Sequence, residues 1–146
     1  MDLISRRLPV FVQFGKFAAV GLSSTSIDFG VLNILSMTTG VTAGFILGGV
    51  NVPGFSVAVI SSYFWNKFWT FKAGGSGGVM QDFPKFLAVA TIGLILNSGI
   101  IILLTTFVPP FFGVSAATHL NLAKIVATVL VLFWNFFGLK FLVFKK

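Results

Sequence analysis

The sequence predicts an all-α integral membrane protein, with four transmembrane helices arranged as two parallel-duplicated helical hairpins and both termini in the cytoplasm. Three observations favour this fold class: an apolar composition, four apolar segments long enough to span a membrane, and a repeat that divides the chain in two. The 146 residues are 56% apolar and 9% charged, with a mean hydropathy of +1.01. Soluble domains carry about 25% charged residues, so most of the apolar surface must face lipid or other helices.

The four predicted spans are each close to the ~20 residues that cross ~30 Å of hydrocarbon. They run over residues 14–37, 53–71, 83–107 and 120–144. The segment 41–52 is also apolar, but it is rich in glycine and ends at Pro53, which suits the first position of a helix or a break. We interpret it as a loop or a short interfacial helix. The alternative is a longer second span that starts near Ala43 and is kinked at Pro53.

The repeat is visible in two pairs of motifs. KFAAV at 16–20 returns as KFLAV at 85–89, and we call the step from Lys16 to Lys85 the first repeat offset. KFWTFK at 67–72 returns as KFLVFK at 140–145, and we call the step from Lys67 to Lys140 the second repeat offset. Duplicated apolar hairpins build many small membrane transporters, and their sites lie at the repeat interface.

The repeat divides the chain into four regions. We assign residues 1–13 to a cytoplasmic or interfacial N-terminus, 14–72 to the first hairpin, 73–82 to a glycine-rich cytoplasmic linker and 83–146 to the second hairpin. The linker contains AGGSGG, a flexible composition. Because two spans separate the copies, both copies are expected to cross the membrane in the same direction, with a pseudo-twofold axis along the membrane normal.

Positive charge predicts the orientation. Nine of the ten Lys and Arg residues lie near the termini or around the middle loop, and the connections 38–52 and 108–117 contain none. The positive-inside rule therefore places both termini in the cytoplasm. We interpret the net charge of +7 as a topology signal and an attraction to anionic lipid heads, not as a sign of nucleic-acid binding.

The composition excludes several kinds of chemistry. There is no cysteine, no glutamate and a single histidine, and the three aspartates are far apart in sequence. Disulfides, thiolate sites and histidine clusters are therefore excluded within one chain, and paired-carboxylate catalysis is not expected. We predict no metal, no cofactor and no catalytic residue, and we expect that the protein is not an enzyme.

Three polar residues near the middle of the membrane are candidate substrate-binding residues. Asp28 lies about 18 Å beyond Lys16 along a helix, and a carboxylate at that depth suggests a functional site by default, with interhelical packing as the alternative. Asn97 takes the matching position in the second copy. Lys124 differs from Asp28 in depth by only about 6 Å. It can snorkel outward, which is the simpler interpretation, or form a buried pair with Asp28.

The two basic motifs are candidate sites for an anionic lipid head group. Lysine and tryptophan at a membrane boundary often serve only as anchors, whereas a cationic mouth would attract a lipid phosphate. The candidate head-group residues are Asn66, Lys67, Lys72, Asn135, Lys140 and Lys145, and the aromatic boundary residues are Trp65, Trp69 and Trp134.

Motifs in both halves resemble those of the GtrA-like family of small four-helix membrane proteins. They are FGKFAAVG at 14–21, DFG at 28–30, NKFWTF at 66–71, and then Lys85-Phe86, Asn97, Ala123-Lys124 and Trp134-Asn135. The second copy departs from the first at one place. Leu139 stands where the repeat would put a partner for Asn66, and the asparagine appears instead at Asn135, opposite Ser62.

The resemblance implies translocation of a polyprenyl-phosphate-linked sugar, such as undecaprenyl-phosphate glucose, for the synthesis of cell-surface polysaccharide or glycan. We expect a multi-pass protein of the bacterial inner membrane whose partners are that lipid, other membrane lipids and a membrane glycosyltransferase. Because one protomer of four spans offers little interior room, we also expect a homo-oligomer. One alternative is a non-transporting partner or anchor of a glycosyltransferase. Another is a small proton-coupled multidrug exporter, which the basic motifs disfavour because they would repel cationic drugs.

Overall fold

The protein is a bundle of four long helices. The structure, a computed structural model, describes residues 10–70 and 79–143, with side chains from residue 82 onward in the second range. These ranges contain no β-strand, and their α-helices are α1 (Val10–Thr39), α2 (Phe45–Trp65), α3 (Val79–Phe107) and α4 (Ala116–Gly138). All four are long and apolar enough to cross a membrane, which confirms the predicted fold class of an all-α membrane protein with four spans.

Two of the helices end in a π-helical turn. After α2 the chain continues as a π turn over Asn66–Thr70, and after α4 it does so over Leu139–Val143. The first residues of the two turns are related by the second repeat offset, so the turns occupy equivalent places in the two halves. Turns of this kind are rare and frequently lie at functional sites.

The connection between α1 and α2 is shorter than predicted. The backbone has positive φ at Gly40 and Gly44, and α2 begins at Phe45. The interpretation of 41–52 as a loop or short interfacial helix is therefore wrong, and the alternative of a longer second span that contains Pro53 is correct. Glycine and proline are weaker breakers in membrane helices, where neighbouring helices satisfy the freed backbone groups.

The connection between α2 and α3 also differs from the predicted one. Helix α3 begins at Val79, so it includes the last residues of the 73–82 segment that we assigned to the linker. Asp82 therefore lies in the first turn of α3, with Pro84 just after it. The remaining residues of the predicted linker lie outside the described ranges, and the division of the chain into four regions stays a prediction.

Helices that follow each other in the chain are neighbours in the bundle. Contacts join α1 to α2, α2 to α3, α3 to α4 and α4 back to α1. The outward side chains are apolar, as helices that face lipid require: Leu22, Ile95 and Leu130 are 72%, 65% and 56% exposed. We call the end of the bundle with Lys16 and Lys140 the basic end.

Two apolar clusters fill the interior. The cluster at the basic end contains Phe17, Tyr63, Phe86, Val89, Phe136 and Leu139, and the cluster toward the other end contains Leu32, Leu47, Ile101, Leu120 and Ala127. Polar side chains lie between these clusters, and a cavity is lined in part by the cluster at the basic end.

Candidate functional site

One polar side chain from each helix meets in the interior. Lys124 of α4 donates hydrogen bonds to Asp28 Oδ2 of α1 and to Asn51 Oδ1 of α2, both at 2.6 Å. It also donates to Asn97 Oδ1 of α3 at 3.2 Å. Asn51 Nδ2 in turn donates to Asn97 Oδ1 at 3.1 Å and to Ser98 Oγ at 3.0 Å. We call Asp28, Asn51, Asn97 and Lys124 the polar layer.

The polar layer is enclosed by the helices. Lys124 is 0% exposed and Asp28 is 5% exposed. An ammonium group has three N–H donors, and the three oxygens around Lys124 account for all of them. The hypothesis of a buried Asp28–Lys124 pair is therefore confirmed, and the interpretation that Lys124 snorkels outward is wrong. The carboxylate and two amide oxygens solvate the ammonium from within the bundle, so it has no need to reach the membrane surface.

Sequence reasoning missed Asn51, because it lies in the segment that we interpreted as a loop. The repeat could have found it, since Asn51 and Lys124 are related by the second repeat offset. Asp28 and Asn97 are related by the first repeat offset. The polar layer therefore consists of two pairs of residues at equivalent positions in the two halves.

A cavity of about 90 Å³ lies between the polar layer and the basic end. It is lined by residues within 17–28 of α1, 55–66 of α2 and its π turn, 86–97 of α3, and 128–139 of α4 and its π turn. Each of these segments rises about 16 Å along its helix. Asp28 and Asn97 line the deep end, which we call the floor, whereas Lys124 lies behind them and does not line the cavity. We call the end with Asn66 and Leu139 the rim.

Four oxygen atoms of the cavity lining have no hydrogen-bond partner among the described residues. They are Asp28 Oδ1, Asn66 Oδ1, Thr128 Oγ1 and Asn135 Oδ1. Asn66 is 1% exposed and begins the first π turn. Thr128 lies one helical turn after Lys124, and sequence reasoning missed it because a threonine in an apolar span gives no distinct signal.

The two predicted asparagines near the rim line the same cavity, although they are not equivalent in the repeat. The second repeat offset relates Asn66 to Leu139 and Ser62 to Asn135, and all four side chains line the cavity. Gly93 leaves space for the Asn135 amide, since a Cβ there would lie 2.8 Å from its Oδ1. Each half therefore contributes one amide to the lining near the rim, in positions one helical turn apart.

Lys67 does not lie free at the basic end. It is 2% exposed, and its Nζ lies 2.5 Å from Asp82 Oδ2. This ion pair joins the π turn after α2 to the first turn of α3. The carboxylate of Asp82 therefore offsets the charge that we predicted for capture of an anionic head group.

Lys140 is the predicted lysine whose surroundings favour an anion. It is half-buried, and its Nζ lies 5.7 Å from the ring centroid of Phe136. No carboxylate of residues 10–70 or 82–143 lies within salt-bridge distance of it. The other two predicted lysines, Lys72 and Lys145, lie outside the described residues.

The three predicted boundary tryptophans differ in exposure. Trp65 and Trp69 are 60% and 41% exposed, and the Nζ of Lys16 lies 5.1 Å from the Trp69 ring centroid. Trp134 is half-buried, and its Nε1 donates a hydrogen bond to the Val89 carbonyl at 3.0 Å. Trp134 therefore links α4 to α3 inside the bundle, beside the cavity.

The chain matches a known protein family over most of its length. The family described as "GtrA/DPMS, transmembrane domain" matches residues 16–144, which include the polar layer, the whole cavity lining and both π turns. The chain belongs to this family. No solved structure matches it.

Two relatives illustrate the range of proteins that contain this domain. The chain is 29% identical over 134 residues to "Uncharacterized membrane protein YngA" of Bacillus subtilis, which covers 89% of the chain and 78% of that protein. It is 27% identical over 115 residues to "Dolichol-phosphate mannosyltransferase" of Pyrococcus furiosus. That match covers 79% of the chain but only 29% of the mannosyltransferase, so most of that relative has no counterpart here.

Proposed function

We propose that this protein translocates a polyprenyl-phosphate-linked sugar across the membrane for the synthesis of cell-surface polysaccharide or glycan. The principal support is the polar layer and the cavity above it. Charged side chains within a membrane span are costly and usually mark a substrate path or relay. Here Asp28 of the charged pair lines a cavity that lies between the pair and the basic end, and one relative is named "Dolichol-phosphate mannosyltransferase".

The proposed work involves no covalent step. Moving a sugar phosphate through hydrocarbon is costly because its polar groups lose their hydrogen bonds to water. Asp28 and Asn97 at the floor, and Asn66 and Asn135 near the rim, offer replacements for some of those hydrogen bonds. The polyprenyl tail remains in the lipid, along the apolar outer faces of the helices.

Uptake of the head group requires the helices to separate. The cavity volume of about 90 Å³ is smaller than the ~300 Å³ at which pockets for small molecules begin. Since a cavity of this size in one protomer is too small for the head group, we propose that the protein works as a homo-oligomer. We further propose that the two hairpins are duplicated copies and that the basic end faces the cytoplasm of a bacterial inner membrane, as the positive-inside rule indicates.

A leaflet-resolved assay in liposomes tests the proposal. The purified protein is reconstituted with undecaprenyl-phosphate glucose, and the fraction of lipid in each leaflet is followed with time. We expect the lipid to equilibrate between leaflets faster than in protein-free liposomes. Asp28→Asn should slow this by about tenfold, which corresponds to about 1.4 kcal/mol at the rate-limiting step. An unchanged distribution in the presence of folded wild-type protein would contradict the proposal.

A second candidate function is a non-transporting partner or membrane anchor of a glycosyltransferase. The mannosyltransferase relative favours it, since this chain matches only 29% of that protein. Asp28→Asn distinguishes the two functions. Under translocation the variant loses transport but still assembles with its glycosyltransferase. Under docking, glycosyltransferase activity falls only if co-purification of the two proteins also falls.

A further inference from the structure

The cavity lining contains buried hydrogen-bond acceptors that lack a donor. Lys124 directs its three N–H groups to the oxygens of the polar layer and does not line the cavity. The fully buried lining atoms that lack a partner among the described residues are oxygens of Asp28, Asn66, Thr128 and Asn135. Carboxylate and amide oxygens only accept hydrogen bonds, and a threonine hydroxyl can both donate and accept. The cavity is therefore suited to a ligand that donates.

Because these oxygens are buried, the cavity should strongly favour a ligand that donates hydrogen bonds to them. Asp28 and Asn66 are 5% and 1% exposed, and a buried polar atom without a partner is destabilising because it has lost its hydrogen bonds to water. A ligand that donates hydrogen bonds to them relieves that penalty. A ligand that only accepts leaves it in place.

The acceptors are spread along the cavity. Asn66 lies at the rim, Asn135 lies one turn deeper, and Thr128 and Asp28 lie toward the floor, which is about 16 Å from the rim by helical rise. One sugar ring therefore meets them in succession as it moves inward. Lys140 follows Asn135 along α4 and its π turn by a rise of about 7.5 Å.

We propose that this cavity is the subsite for the sugar, and not for the phosphate, of the lipid-linked substrate; this inference rests on the proposed function. A sugar presents several hydroxyl donors and apolar C–H faces, and the rings of Phe17, Phe55 and Phe86 line the same cavity. A phosphate diester presents only acceptors, so it would leave the unpartnered oxygens of the cavity without a donor. When the sugar contacts Asn66 and Asn135, the phosphate stays near Lys140.

The subsite is tested by two substitutions, each of which introduces the residue found at the equivalent position in the other half. Asn66→Leu introduces the side chain found at Leu139, and Asn135→Ser introduces the one found at Ser62, so each new side chain already occurs in the lining at the equivalent position of the other half. Equilibrium binding is measured to protein in nanodiscs, with undecaprenyl-phosphate glucose and undecaprenyl phosphate as probes. Each variant should lower affinity for the sugar-bearing lipid about fivefold, equivalent to one neutral hydrogen bond. Affinity for undecaprenyl phosphate should stay unchanged.

Two further variants control the measurement. Asn33→Leu removes an amide that pairs with Asn121 away from the cavity, and it should change neither affinity. Lys140→Gln should lower both affinities, because both lipids carry the phosphate. The sugar subsite is overturned if Asn66→Leu and Asn135→Ser lower both affinities equally or lower neither. It is also overturned if the wild-type protein binds the two lipids equally. Selective binding without translocation in liposomes would instead uphold the subsite and overturn transport.

Discussion

The contact between α1 and α4 and the contact between α2 and α3 are built alike but charged differently. We call them the α1–α4 seam and the α2–α3 seam. At the basic end both hold the same aromatic triad, at positions related by the two repeat offsets. The ring centroids of Phe14 and Phe17 lie 5.0 and 5.3 Å from Phe136, and those of Phe83 and Phe86 lie 5.7 and 4.4 Å from Tyr63.

Each seam holds one ion pair among the described residues, but the two pairs lie at different depths in the bundle. The α1–α4 seam holds the Asp28–Lys124 pair at the polar layer, where the α2–α3 seam holds the neutral Asn97–Asn51 pair. At the basic end the α2–α3 seam holds Lys67–Asp82. The repeat offsets relate these two residues to Lys140 and Gln13, and no carboxylate balances that lysine in the described residues.

Under the proposed function, this difference would give the protein a preferred side for its substrate. The aromatic triads are common to both seams, whereas the charges are not. An anionic lipid head would then meet Lys67 already paired with Asp82, and Lys140 without a carboxylate partner among the described residues. We therefore expect the head group to approach the cavity between α1 and α4.

The largest expected effect comes from breaking the deep ion pair. Lys124→Met leaves the Asp28 carboxylate buried without a counter-charge, and we expect it to lower the free energy of unfolding by about 3–5 kcal/mol. Unfolding is measured by denaturant titration of the protein in detergent. The double variant Asp28→Asn with Lys124→Asn gives the α1–α4 seam the amides of the other seam and should recover most of the loss. Equal stability of Lys124→Met and the wild type would refute this interpretation.

A smaller effect is expected where α2 passes closest to Asp28. A Cβ at Gly54 would lie 2.8 Å from the Asp28 carbonyl oxygen and 2.9 Å from its Oδ1. Gly54→Ala should therefore force α1 and α2 apart and destabilise the protein by about 1–3 kcal/mol. Gly49→Ala is the matched control, because a Cβ there meets nothing within 4 Å. The same titration measures both, and equal stability of the two variants would contradict the prediction.

The smallest expected effect comes from exchanging the charges at the basic end. Gln13→Asp places a carboxylate in the α1–α4 seam and should weaken binding of undecaprenyl phosphate about fivefold, since one lysine near a lipid head contributes about 1 kcal/mol. Asp82→Asn removes the partner of Lys67 and should strengthen binding by a similar factor. Binding to protein in nanodiscs measures both. If the two variants shift affinity in the same direction, the difference between the seams does not govern head-group binding.

The sequence supports the fold and part of the site for clear physical reasons. Composition and segment length predict four spans, because a bilayer imposes both requirements. The Asp28–Lys124 pair could be predicted from depth, since helical rise relates residue number to distance along the membrane normal. Sequence reasoning missed Asn51 because it treated Pro53 as a helix breaker, as proline is in soluble helices, and so interpreted the segment before it as a loop.

The Lys67–Asp82 pair lay beyond sequence reasoning for a different reason. It depends on a π turn, which adds a residue to the turn and rotates the side chains that follow. It also depends on the start of α3 at Val79. Hydrophobic periodicity predicts neither the π turn nor the first residue of α3. The KFWTFK and KFLVFK motifs therefore look equivalent in sequence, although Lys67 and Lys140 have different surroundings.

In the most direct test, the two helices of one seam are cross-linked to each other, one seam at a time, and translocation is then measured. The chain contains no cysteine, so only introduced thiols react with a bifunctional thiol reagent that reduction can cleave. One variant carries Phe14→Cys with Phe136→Cys, and its matched control carries Phe83→Cys with Tyr63→Cys. We expect cross-linking of the first pair to stop transfer of undecaprenyl-phosphate glucose between leaflets and reduction to restore it, with little effect at the second pair. Transfer that continues with the α1–α4 seam locked would contradict the account.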